Sequence, residues 1–171
     1  MDKTYEPIAA QTLGSAAASV TFSSIPQTYT DLVLICSVQD NTTGQIQSNV
    51  QIQFNNDTGS NYSWTGIYGN GTSAVSHRQN NSTGAWAGYM SSASGVFSPI
   101  VFQIINYSNT TTFKTTISRA NLGTLNPNTT TITEGVVSLW RNTNAISTVK
   151  INGAISFATG STFVLYGIKA A

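Results

Sequence analysis

Few side chains in this sequence are suited to acid–base, nucleophilic or metal chemistry. The acids are Asp2, Glu6, Asp31, Asp40, Asp57 and Glu134; His77 is the sole histidine and Cys36 the sole cysteine. Glycoside hydrolysis needs two carboxyls at a defined separation across the scissile bond. Asp57 and Glu134 would have to serve, and no motif joins them. Asp57 lies among Asn55, Asn56 and Gly59, which offer one charge and several neutral oxygens to a calcium ion. The plainer reading is an Asx-rich turn after a strand. A serine triad would have to use His77, and no G-x-S-x-G elbow is present. A zinc site would have one His and one Cys, too few. There is no glycine-rich phosphate loop with a lysine. His77-Arg78 reads as an exposed strand end or loop pair. Cys36 sits in Leu32-Val33-Leu34-Ile35-Cys36, where a small thiol fits a core. The expectation is a protein that is not an enzyme, with no catalytic residue, cofactor or metal.

Aromatic residues are the remaining candidates. Phe22, Phe54, Phe97, Phe102, Phe113, Phe157 and Phe163 fall inside strand-like runs and read as core. Tyr62, Trp64, Trp86 and Tyr89 fall in an irregular middle rich in Asn, Ser and Gly. Tyr and Trp in polar loops suit a protein interface or a sugar platform, or they cap the open ends of a sandwich. With Asp57, His77 and Arg78 they form the candidate contact set, for a protein interface or a glycan. Trp140 reads as core or as a subunit contact.

Composition says what could position such a set. Charged residues make up 8% of the chain, against an ordinary figure of about 25%. Ser, Thr, Asn and Gln replace them, and these are poor helix formers. With a net charge of +1 there is no field to draw nucleic acid or an anionic membrane. So uncharged a surface points to contact with other protein. One cysteine excludes an intrachain disulfide. No apolar run near Met1 is long enough for a signal peptide or a span.

The pattern along the chain is of short strands. Residues 49–54 alternate, with Val50, Ile52 and Phe54 inward. Residues 97–106 and 111–119 read as a hairpin, and residues 135–141 as the next strand. Residues 31–38 and 162–168 are apolar on both faces, which predicts central strands buried on both sides. Asn152-Gly153, between runs 148–151 and 154–157, predicts a two-residue hairpin. Residues 55–94 carry only weak candidate strands. The expected architecture is all-β: one domain over residues 1–171, an antiparallel β-sandwich of about ten strands, jelly-roll-like, with residues 1–6 as a candidate N-terminal arm.

Several stretches carry a family resemblance. They are Ile8-Ala9-Ala10-Gln11-Thr12-Leu13-Gly14-Ser15, Ile25-Pro26-Gln27-Thr28-Tyr29-Thr30-Asp31-Leu32, Phe54-Asn55-Asn56-Asp57-Thr58-Gly59-Ser60-Asn61-Tyr62, Leu139-Trp140-Arg141-Asn142-Thr143-Asn144 and Gly160-Ser161-Thr162-Phe163-Val164-Leu165-Tyr166-Gly167-Ile168. Together they resemble small β-rich structural proteins of tailed bacteriophages, cyanophages among them. The resemblance implies a virion protein assembled in the bacterial cytoplasm. It leaves two stations open. One is a capsid decoration (cement) protein bound to the major capsid protein, for which symmetry favours a homotrimer. The other is a tail-fibre module whose Tyr62/Trp64/Trp86/Tyr89 region touches host glycan. It implies no catalytic residues, no nucleic acid partner and no membrane partner.

Overall fold

The computed structural model describes residues 4–42, 47–123 and 131–169. These residues form twelve strands and no helix: β1 (Tyr5–Thr12), β2 (Ala17–Phe22), β3 (Asp31–Val38), β4 (Gln47–Phe54), β5 (Tyr62–Gly69), β6 (Ala74–Ser82), β7 (Ala85–Ser91), β8 (Ser98–Ile104), β9 (Lys114–Leu122), β10 (Ile132–Trp140), β11 (Val149–Phe157) and β12 (Thr162–Ile168). An eight-stranded sheet has the order β1-β12-β3-β8-β9-β10-β5-β6, and a four-stranded sheet the order β2-β11-β4-β7. Every pairing between these strands is antiparallel. The chain is therefore all-β, and the two sheets pack as a sandwich. The division into eight and four gives the expected jelly-roll connectivity no support.

Alternation makes the core. One face of each sheet turns inward, as in β3, where Leu32, Leu34, Cys36 and Val38 are buried. They meet Phe102 of β8, Phe163 and Leu165 of β12, Ile52 and Phe54 of β4, and Ile151 of β11 in one cluster. A separate, smaller cluster forms where β10 and β5 pass beside β7: Trp64, Trp86 and Val136, with Tyr89 against them. Burial pushes the Cys36 thiol up, well out of the reactive range.

Several sequence expectations change here. Asn152-Gly153 is not a hairpin. Both residues lie inside β11, neither at positive φ, because β11 pairs with β2 on one side and β4 on the other. Pairing on both sides overrides the local turn preference. β12 lies within its sheet, between β1 and β3, but only one face is buried: Phe163, Leu165 and Gly167 point in, while Val164, Tyr166 and Ile168 are half-exposed. β3 likewise leaves Ile35 exposed. Phe113 is not core but 53% exposed. In residues 55–94 the weak candidate strands at 64–68, 73–78 and 86–90 are full strands, β5, β6 and β7. Tyr5 and Glu6, assigned to an arm, pair in β1 with Ile168 and Gly167; residues 1–3 lie outside the described residues.

Candidate functional site

The sequence set does not form one exposed platform. Tyr62 and Asp57 belong to the packing around Trp140. Tyr62 is fully buried and its ring stacks on Trp140 with centroids 6.2 Å apart. Its hydroxyl accepts the Phe54 N–H at 2.9 Å. The Trp140 indole N–H donates to Asp57 Oδ2 at 2.7 Å, while Asn61 and the Gly59 N–H bond the same carboxylate. Asp57 is thus a turn-closing acceptor, and Trp140 is core. Among the described residues no group of three His, Cys, Asp or Glu could hold a metal ion.

Trp64, Trp86, Tyr89 and His77 do converge, around an acid outside the predicted contact set. Inward positions on β10 read Ile132, Glu134, Val136, Ser138, Trp140, so Glu134 is a lone acid on a buried face. It is 3% exposed. Trp86 of β7 donates its indole N–H to Glu134 Oε1 at 2.9 Å. His77 of β6 brings Nε2 to 2.7 Å from the same oxygen, close but not aligned as a hydrogen bond. Glu134 Oε2 and Trp64 Nε1 are buried with no partner among the described residues.

His77 sits in a box of rings. Its centroid is 5.0 Å from Trp64, 5.4 Å from Tyr68 and 5.9 Å from Trp86. Trp64 and Trp86 stack at 5.0 Å, and Tyr89 meets Trp86 edge-on at 5.2 Å. Gly66, on β5 directly opposite His77, makes the seat: a Cβ there would stand 2.6 Å from Nε2. Burial pushes the Glu134 carboxyl up to about 7, against a smaller lowering by the Trp86 N–H, and burial pushes the His77 imidazole down. The arrangement pins β6 to the core. With the rings packed on one another, it is no sugar platform.

Asp57 and Glu134 do not pair. Asp57 bonds Trp140, six residues along β10 from Glu134, which sets the carboxyls on the order of 15 Å or more apart. That exceeds what either class of glycosidase spans.

No family model, curated protein or solved structure matches this chain.

The surface feature that the sequence did not single out is the outer face of the eight-stranded sheet. Register sets Val137 directly opposite Ile117 on one side and Thr65 on the other. One ladder step away, Ile35 faces Val101, Val101 faces Arg119, Arg119 faces Gly135 and Gly135 faces Ile67. Val137 is 56% and Ile67 59% exposed, and Ile35, Ile117, Ile105 and Phe113 are exposed as well. Gly135 leaves a shallow groove of about 540 Å³ between Val101, Pro99, Arg119 and Thr133. The charges on this face are Arg78 and Arg119, with Asp31 at a corner, where its carboxylate accepts the Asn106 N–H. Arg78 therefore points away from the His77 box although it is the next residue.

Proposed function

We propose that this chain is a non-enzymatic structural protein of a tailed-phage virion, a capsid decoration (cement) protein that binds the outer capsid surface and stabilises the shell. The observation that carries this reading is the outer face of the eight-stranded sheet. On that face Val137 and Ile117 stand side by side and exposed, with Val101 and Ile35 one ladder step away, and exposed apolar side chains grouped on one rigid sheet face suit a contact with other protein. The partner is the major capsid protein or another virion protein. Stabilisation works by repetition. Each contact contributes about a few kcal/mol, and symmetry repeats it over the shell.

A second reading, a glycan-binding tail module, draws support from the small sheet. There Asn49, Gln51, Asn152, Gly153 and Ala154 line a hollow of about 150 Å³ whose amides suit sugar hydroxyls. Quantitative mass spectrometry of purified virions separates the two. Decoration of a symmetric shell requires on the order of hundreds of copies, a tail station about a dozen or fewer. Absence of the chain from virions overturns both.

A further inference from the structure

Four strands form the edges of the two sheets: β1 and β6 of the large one, β2 and β7 of the small one. An open edge presents unpaired N–H and C=O groups, and natural sheets blunt it with proline, bulges, short strands or charge. Three of the four edges here are blunted. β1 contains Pro7 and loses register between Pro7 and Ala9. β2 is six residues long, and its pairing with β11 is broken between Asn152 and Phe157. β7 is bulged opposite Val50 and Gln51, with Gly88 at a φ of 133°.

β6 is the least blunted: its one charge is Arg78, and its bulge comes only beyond Gln79, where Asn81 takes a φ of 59°. It has nine residues, no proline and no glycine. Its register with β5 runs unbroken from Ala74 to Gln79. The Asn70 N–H donates to the Ser73 carbonyl at 3.2 Å, closing the β5–β6 turn. Ladder alternation from that pair turns the peptide groups of Val75 and His77 toward β5. Those of Ser76 and Arg78 point away, to the free edge. The strand is also held in place: His77 anchors it in the aromatic box against Glu134. A strand fixed before binding loses less entropy on pairing.

We propose that β6 pairs antiparallel with β6 of a second copy, joining two eight-stranded sheets across a two-fold axis. The strand fits a second copy of itself, since a two-fold register centred on His77 pairs the outward peptide groups of Ser76 with those of Arg78. Ser76, Gln79, Asn80 and Asn81 carry no charge that would select a charged partner strand. A register centred on His77 sets Arg78 of each copy against Ser76 of the other, so no like charges stand opposite. The pairing does not depend on the virion reading.

The test is molar mass by light scattering over a concentration series, for the native chain and for Ser76→Pro. Proline at 76 removes an N–H that points to the free edge and leaves the β5 ladder intact. The native chain is expected to run at twice its monomer mass, and S76P at the monomer mass with an unchanged circular dichroism spectrum and Tm. A native chain that stays monomeric at its solubility limit overturns the proposal. So does an oligomer, a trimer included, whose mass S76P leaves unchanged. Amide hydrogen exchange on the native chain needs no variant. Ser76 and Arg78 gain protection as concentration rises, and no gain overturns the pairing.

Discussion

Glu134 and His77 stand two strands apart in the large sheet, yet His77 Nε2 lies 2.7 Å from Glu134 Oε1 beneath Trp86. Tyr68 of β5 and Tyr89 of β7 border the pair, and no further charged group contacts it among the described residues. Burial shifts both groups toward their neutral forms. The Glu134 carboxyl is raised to about 7 by burial. Its contribution to stability is therefore full below the unfolded value of about 4.3 and is lost as pH rises through 7. The imidazole is lowered by burial, so its contribution is full above the unfolded value of about 6.5 and is lost as pH falls through the folded value. The slopes oppose each other across mildly acidic pH. Chemical denaturation at a series of pH values should find Glu134→Gln losing stability toward acid relative to the native chain, and His77→Gln gaining it. Parallel profiles for all three proteins would refute the two shifts.

Trp140 and Asp57 carry a second expectation. Burial raises the Asp57 carboxyl, but hydrogen bonds from Trp140, Asn61 and Gly59 outweigh it and hold the group below the usual carboxylate range. Its contribution is thus present above about pH 4 and lost as pH falls through the lowered folded value. Asp57→Ala leaves the indole N–H of a fully packed tryptophan without an acceptor and should cost about 2–3 kcal/mol near neutral pH. The deficit should shrink toward pH 2. A deficit that is constant with pH would mean that the carboxylate charge plays no part.

How much of this was legible in the sequence depended on whether polarity followed the strand period. At residues 49–54, Val50, Ile52 and Phe54 point in and Gln51 and Gln53 point out, so type and face agree, and β4 was readable. The β8–β9 hairpin was readable from β8 and from the turn between the strands, although β9 turns Lys114, Thr116 and Ser118 inward and Ile117 outward. In β5 the correspondence holds at Tyr62 and Trp64 but breaks where β5 faces the middle of β6: Ile67 points to solvent, while Gly66 and His77 point inward. A period-2 pattern cannot be seen when inward residues are polar and outward ones apolar. Phe113 misled for the same reason. Asn152-Gly153 misled differently, because its partners β2 and β4 are more than a hundred residues away in sequence. Trp64, Trp86, Tyr89 and His77 were picked out by type. That Glu134 joins them was signalled by one acid on a face otherwise shared by Ile132, Val136 and Trp140.

The proposed docking through the outer face of the large sheet is most directly tested by co-sedimentation with undecorated phage shells, the partner that the decoration reading requires. The native chain should saturate the shell surface and raise its melting temperature. Val137→Asp, at a half-exposed position opposite Ile117, should cost the isolated fold under about 1 kcal/mol. It sets a buried charge in the contact and should weaken shell binding at least about tenfold, or about 1.4 kcal/mol. A folded V137D that binds and stabilises shells as well as the native chain does would contradict docking through this face.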